Sequence, residues 1–187
     1  MSKKIAVLAL QGAFIEHERL LATLGVTTVE LRQSQDVLQS YDGLILPGGE
    51  STVQGKLLRD MHMLEPLREQ ITQGLPTFGT CAGMILLSES TTNDRRSHLQ
   101  TMPITVKRNA YGRQSSSFIT TASVTHVGMV PMHFIRAPYI ESVGSDVEVL
   151  ATVDDMIVAA QYKKQLAVSF HPEVTDHTAM HEYFLSL

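Results

Sequence analysis

The feature that most limits the possible folds is a series of short apolar runs, each followed by an amphipathic segment. "IAVLAL" (5–10) is apolar throughout, as expected of a strand buried on both faces of a parallel sheet. "AFIEHERLLATLG" (13–25) then carries Phe14, Leu20, Leu21 and Leu24 at helical spacing and stops at Gly25. "VTTVEL" (26–31) returns to strand, and "DGLILPGG" (42–49) is a third strand running into a glycine turn. Residues 52–73 read as helical with a break near His62, "PTFGT" (76–80) as a fourth strand and "AGMILLSES" (82–90) as a helix. This alternation predicts a parallel sheet with helices on both faces. After the polar stretch "TTNDRRSHLQ" (91–100) come mostly strand-like pieces, then "HPEVTDH" and a closing helix over about 176–186. The second half is therefore expected to extend the sheet in antiparallel fashion.

The chain has 187 residues, enough for one domain with a substantial core. A net charge of −4 lacks the basic excess of a nucleic-acid binder. The single cysteine excludes an intrachain disulfide framework and points to a reducing compartment. "MSKKIAVLALQGAF" has the basic pair and apolar stretch of a signal peptide, but the run is short and no small-x-small cleavage site follows. A first strand is the better reading. No run approaches the ~18 apolar residues of a membrane span. The expectation is a cytoplasmic protein with neither membrane nor nucleic acid as partner.

In open parallel sheets ligands sit beyond the carboxyl ends of the strands. Four unusual stretches fall there: "LQG", "PGGEST", "GTCAG" and "FHPEV". Cys81 lies between Gly79 and Gly83 in a predicted strand-to-helix turn. It is either a packed thiol or a nucleophile on an elbow of the G-x-S-x-G kind, with sulfur in place of oxygen. A helix N-terminus favours the thiolate, and the Ala82 N–H could then serve an oxyanion. The glycines of "PGGEST" could turn another N–H toward a substrate, or simply form a turn with Ser51 or Thr52 capping the next helix. In "FHPEV", Pro172 favours an extended His171, so that Glu173 would project to the same side and orient its imidazole. The alternative is a surface histidine beside a solvated glutamate. If the sharper readings hold, Cys81, His171 and Glu173 form the set that acyl transfer needs.

Other polar residues offer less. His177 and His181 stand four apart without a clear third ligand, and are read as a surface face rather than a zinc site. Arg108 and Arg136 lie near predicted strand ends, where each could clamp a carboxylate or join a surface ion pair.

Taken together, "LALQGAFIEH", "DGLILPGGEST", "PTFGTCAGMILL", "RNAYGRQ", "FIRAPYI" and "SFHPEVT" resemble class I glutamine amidotransferases, nearly end to end. More narrowly, they resemble the branch of glutaminase subunits that serves pyridoxal 5′-phosphate synthesis. The resemblance implies one α/β glutaminase domain over residues 1–187. Its expected core is a flavodoxin-like, mostly parallel sheet with helices on both faces and an antiparallel extension. It implies Cys81 as nucleophile, His171 as acid and base, and Glu173 as the orienting carboxylate. Gly48, Gly49, Glu50, Arg108, Ile135 and Arg136 would line the glutamine site, with Gly49 and Ala82 donating oxyanion N–H groups. Glu50 is assigned to the substrate ammonium and an arginine to its carboxylate. Gln11 would meet a synthase partner. The implied reaction is hydrolysis of L-glutamine to L-glutamate and ammonia through a Cys81 thioester. That chemistry requires no metal or organic cofactor, and the ammonia would pass to the synthase catalytic subunit to make vitamin B6. The rival readings are a stand-alone γ-glutamyl hydrolase and a non-catalytic interaction subunit of the synthase. The stretch 91–105 departs from the more glycine-rich segment of similar proteins, and the closing helix is short. Neither departure is expected to touch the three catalytic candidates.

Overall fold

The apolar runs become strands whose alternate side chains serve two separate cores. The computed structural model describes residues 2–108 and 117–187. Strands β1 (Lys4–Leu8), β2 (Thr27–Leu31), β3 (Gly43–Leu46) and β4 (Thr77–Thr80) alternate with helices α1 (Phe14–Thr23), α2 (Ser51–Asp60) and α3 (Leu64–Thr72). Helix α4 (Ala82–Leu87) follows β4 directly. On one sheet face Ala6, Leu8, Leu44 and Leu46 join Leu58, Leu67, Met84 and Leu86 from α2, α3 and α4. On the other, Ile5, Val7, Ile45 and Phe78 join Leu21 of α1 with Met180 and Phe184 of α5 (Ala179–Leu185). The period-2 alternation of a strand sorts neighbouring residues in this way.

The later strands are β5 (Ser88–Thr91), β6 (Met102–Lys107), β7 (Ser117–Val124), β8 (Gly128–Ile135), β9 (Tyr139–Val143), β10 (Glu148–Val153), β11 (Met156–Tyr162) and β12 (Gln165–Val168). The main sheet runs β2-β1-β3-β4-β12-β11-β9-β6-β5, with β10 added on β11. Its first five strands are parallel. From β12 onward β11, β9 and β6 pair in antiparallel fashion. Strand order 2-1-3-4 followed by a fifth parallel strand is the flavodoxin-like order, which opens a crevice at its strand carboxyl ends. β7 and β8 form a separate antiparallel ribbon, whose Val130, Met132 and Phe134 cover the α1/α5 side of the sheet.

Most predicted elements are present. The helical stretch 52–73 breaks where expected, with His62 at φ 56° and Met63 drawn into the core. The helix expected over 82–90 stops at Leu87, and Ser88–Thr91 forms β5, parallel to β6. Its stop has a local cause: the Ser88 hydroxyl donates to the Ile85 carbonyl at 2.8 Å, competing with the helical pattern. Strand β9 and a 3₁₀ helix, Ser34–Leu38, were not anticipated; the latter is held by Asp36, whose carboxylate accepts the Arg32 and Gln33 N–H groups at 2.9 and 3.0 Å. Of "RNAYGRQ", all but Arg108 lies outside the described residues. Among the described residues no helix is long and apolar enough to cross a membrane.

Glycines let α4 approach the sheet closely. A Cβ on Gly83 would stand 1.9 Å from the Leu46 carbonyl oxygen, and one on Gly79 would stand 2.7 Å from Gly83. Because backbone blocks the added atom, Gly83→Ala is expected to cost roughly 1–3 kcal/mol or more. Urea unfolding would read it, and an unchanged midpoint would contradict this packing.

Candidate active site

Pairing of β4 with β12 brings together residues that are ninety apart in the chain. Thr80 is in register with Val168, and the Cys81 N–H donates to the Val168 carbonyl at 2.8 Å. Cys81 then turns sharply, with φ 51° and ψ −102°, a conformation that side-chain-bearing residues avoid. It is buried, and its Sγ lies 4.0 Å from the Ile135 carbonyl. Ala82 begins α4, so its N–H belongs to the first turn, which lacks intrahelical partners.

Beyond β12, the His171 N–H donates to the His133 carbonyl at 2.9 Å. Its ring lies against Gly48, where a Cβ would approach Cε1 to 2.3 Å. His171 Nδ1 is 2.6 Å from Glu173 Oε1, and the carboxylate is fully buried. The predicted pairing is present but its predicted cause is not. Pro172–Val174 is a 3₁₀ turn, so Glu173 folds back onto the ring instead of sharing a side of extended chain. Burial opposes the imidazolium, yet hydrogen bonds to Cys81 and Glu173 and the field of both outweigh it, raising His171 to about 10. At neutral pH the imidazolium faces sulfur on one side and a carboxylate on the other.

The third wall comes from the loops after β1 and β3. Gly48 O accepts the Ala13 N–H at 3.0 Å, so the trans peptide directs the Gly49 N–H the opposite way. Gln11 Oε1 accepts the Glu50 N–H at 2.8 Å, while Gln54 Nε2 donates to Gln11 O and Pro47 O at 3.0 and 3.1 Å. Gln11 is thus engaged within the chain. Glu50 itself caps α2, accepting the Thr52 N–H at 3.3 Å, where Ser51 or Thr52 was the expected cap.

Arg108 Nη2 lies 3.1 Å from Glu50 Oε1 and its Nη1 lies 2.5 Å from Asp94 Oδ2. Asn93 holds the Arg108 backbone on both sides, at 2.9 and 3.0 Å. Hydrogen bonds from Arg96, with a further one from Arg108, keep the Asp94 carboxyl well below the usual carboxylate range. The divergent stretch 91–105 therefore does not touch Cys81, His171 or Glu173 but does position Arg108. Arg136, at φ 46°, is exposed and makes no ion pair with a described residue. Among the described residues no group of three or more His, Cys, Asp and Glu side chains is placed to hold a metal ion.

Sequence reasoning missed the layer behind Glu173. His17 and His181 are fully buried and lie 2.8 Å apart, Nδ1 to Nε2. The surface face expected of His177 and His181 is wrong for His181, because α5 packs Met180, His181 and Phe184 inward. The signal was available in α1, where His17 falls three residues after Phe14 and four before Leu21.

The sequence profile of the SNO glutamine amidotransferase family matches residues 7–187. The chain belongs to that family. It is 59% identical to a pyridoxal 5′-phosphate synthase subunit PdxT of Streptococcus pneumoniae, covering 98% of this chain and 96% of the relative. It is 57% identical to the subunit of the same name from Desulfitobacterium hafniense, covering 97% and 92%. A crystal structure of a glutamine amidotransferase superposes with a TM-score of 0.93 at 41% identity, over 97% of each chain. A putative GMP synthase subunit from Thermoplasma acidophilum, at 20% identity and a TM-score of 0.71, shares the fold with this family member.

The His171 environment has a thermodynamic signature. A pKa raised from 6.5 to about 10 means that the folded state holds this proton more tightly than the unfolded state does. The resulting stabilisation is complete below about pH 6.5 and is lost as pH rises toward 10. Denaturant midpoints measured across that window should fall in the wild type and fall less in His171→Gln. Parallel slopes would show that the imidazole is not so held.

Proposed function

We propose that the whole chain, as one glutaminase domain, hydrolyses L-glutamine and passes the ammonia to the catalytic subunit of a pyridoxal 5′-phosphate synthase. Family membership and the synthase-subunit name borne by relatives at 57–59% identity support the assignment. The observation that carries the chemistry is the buried Cys81–His171–Glu173 set, with sulfur on a strained turn and the imidazole 2.6 Å from its carboxylate.

In this reading the Cys81 thiolate attacks the side-chain amide carbon of glutamine, and the carbonyl oxygen becomes an oxyanion facing the N–H groups of Gly49 and Ala82. His171 gives its proton to the departing nitrogen, so the C–N bond breaks to release ammonia and leave a γ-glutamyl thioester. Water then attacks the thioester while His171 takes its proton. The C–S bond breaks, glutamate leaves and the thiolate–imidazolium pair is restored. Glu173 holds the ring in orientation and offsets its charge throughout.

An α-amino acid calls for an anion near its ammonium and a cation near its carboxylate. Glu50 is the proposed anion and an arginine the cation, with the Ile135–Arg136 backbone closing the pocket. Of the two arginines, Arg108 already shares its charge with Glu50 and Asp94, whereas Arg136 is free of described partners. Gln11, at the end of β1, is the proposed contact with the synthase subunit.

Ammonia release from L-glutamine, measured with the chain alone and with a synthase catalytic subunit added, tests the proposal. A rise on mixing is expected; equal high rates would keep the chemistry but remove the coupling. Cys81→Ala should still assemble with the subunit and lose roughly 10³-fold or more in rate. Sustained ammonia release by that variant would refute the nucleophile.

A further inference from the structure

The proposed mechanism leaves a buried layer of polar groups unused. His17 (α1), Thr80 (β4) and His181 (α5) are each fully buried, on three different elements. His17 Nδ1 lies 2.8 Å from His181 Nε2. On its other side, His17 Nε2 lies 3.2 Å from Thr80 Oγ1 and 3.6 Å from Glu173 Oε2. Glu173 Oε2, the oxygen turned away from His171, has no hydrogen-bond partner among the described residues, and neither has His181 Nδ1. The titratable groups facing His17 are thus His181 from α5, with Glu173 and, further off, His171 from the segment after β12.

These contacts choose the tautomers. If Nδ1 of His17 carried the proton, its bare Nε2 would face a carboxylate oxygen, and His181 would bury an unpaired Nδ1–H. Placing the protons on both Nε2 atoms removes both costs. His181 Nε2–H then donates to His17 Nδ1, and His17 Nε2–H points at Thr80 Oγ1 and Glu173 Oε2. Burial first, and the neighbouring His181 second, hold His17 well below its ordinary value, so the ring is neutral. Burial likewise lowers His181 to about 4. Two neutral rings therefore align their N–H dipoles toward one buried carboxylate.

We infer that His17 is a positioning residue for the proposed reaction: its Nε2–H, oriented by His181 and hydrogen-bonded to Thr80 Oγ1, attracts Glu173 Oε2 across 3.6 Å as a dipole, so that the other carboxylate oxygen can hold His171. Without this dipole, the carboxylate can rotate about its last torsion, which loosens the imidazolium. The same ring ties Glu173 to Thr80, the residue before Cys81, so one side chain steadies both halves of the reacting pair. This inference rests on the glutaminase reading for its consequence in turnover. Its geometric content can be tested without that reading.

Two substitutions separate the ring's two contacts. In His17→Gln the amide nitrogen reaches the place of Nε2, toward Glu173. In His17→Asn the shorter amide reaches only the place of Nδ1, toward His181. Orienting groups behind metal ligands typically weigh about 10–100-fold, and a similar scale applies here. In the presence of the synthase subunit, His17→Asn is expected to lose about 10-fold or more in kcat with KM for glutamine nearly unchanged. His17→Gln should stay within about threefold of wild type. Cys81 is the only thiol in the chain, so its alkylation by iodoacetamide reads the sulfur–imidazole pair independently of turnover. Between pH 6 and 9 the Asn variant should show an altered alkylation profile and the Gln variant the wild-type one.

Equal behaviour of two folded variants, in both kcat and alkylation, would overturn the inference, as would a Gln variant worse than the Asn one. If only the Gln variant folds, its near-wild-type kcat supports the role and a tenfold loss overturns it. A wild-type chain that releases no ammonia would instead sink the glutaminase reading, and the alkylation profiles would still decide the role of His17.

Discussion

Everything at the candidate site depends on the parallel pairing of β4 with β12. The bond from Cys81 N–H to Val168 O ends that pairing and fixes where the elbow begins. A strand advances ~3.3 Å per residue, so a slip of one position would remove the sulfur from the imidazole's reach and turn the side chains of β12 to the wrong core. The pairing also holds Cys81 at positive φ, a conformation that costs on the order of 1–3 kcal/mol and persists only when its surroundings over-determine it. Here they do so through Gly79 and Gly83, which let α4 sit against β3 with no side chain between.

Around this frame the charges are arranged in an order that burial alone would not allow. An isolated buried imidazolium would shed its proton, and an isolated buried carboxylate would gain one. Beside the Cys81 sulfur and the Glu173 carboxylate, His171 keeps its proton despite burial. Behind them neutral histidines contribute only dipoles, which avoids placing a second cation in the same dry region. At the solvent edge, Arg108 is balanced by Glu50 and Asp94, while Arg136 stands unbalanced among the described residues. The site is thus closed electrostatically on its inner side and open on its outer side.

The sequence was most readable where one physical cause acts over a few neighbouring residues. Apolar runs such as "IAVLAL" read as buried strands because both faces are covered, and the break near His62 followed from the interrupted helical pattern. Ser88 misled, because its hydroxyl ends a helix that the run Met84–Leu87 would otherwise continue. Glu173 was paired correctly with His171 for a mistaken reason, since a 3₁₀ turn and extended chain can both bring residues two apart into contact. His17 was passed over and His181 was read as surface because their meeting depends on how α1 and α5 dock on the same sheet face. No local spacing encodes that contact. The loop after β5 was expected only to leave the three catalytic candidates untouched, and its Asn93 and Asp94 hold Arg108 from a distance that only the tertiary fold closes.

The β7–β8 ribbon lies outside the main sheet, yet it touches both members of the proposed reacting pair. His133 O receives the His171 N–H, and Ile135 O stands 4.0 Å from Cys81 Sγ. Residues two apart on a strand present their carbonyls along the same edge, roughly 6.6–6.8 Å from each other. Strand β8 therefore works as a ruler laid across the crevice, with one graduation against the base and the next against the sulfur. The separation of the two groups is gauged by a piece of backbone that neither of them belongs to.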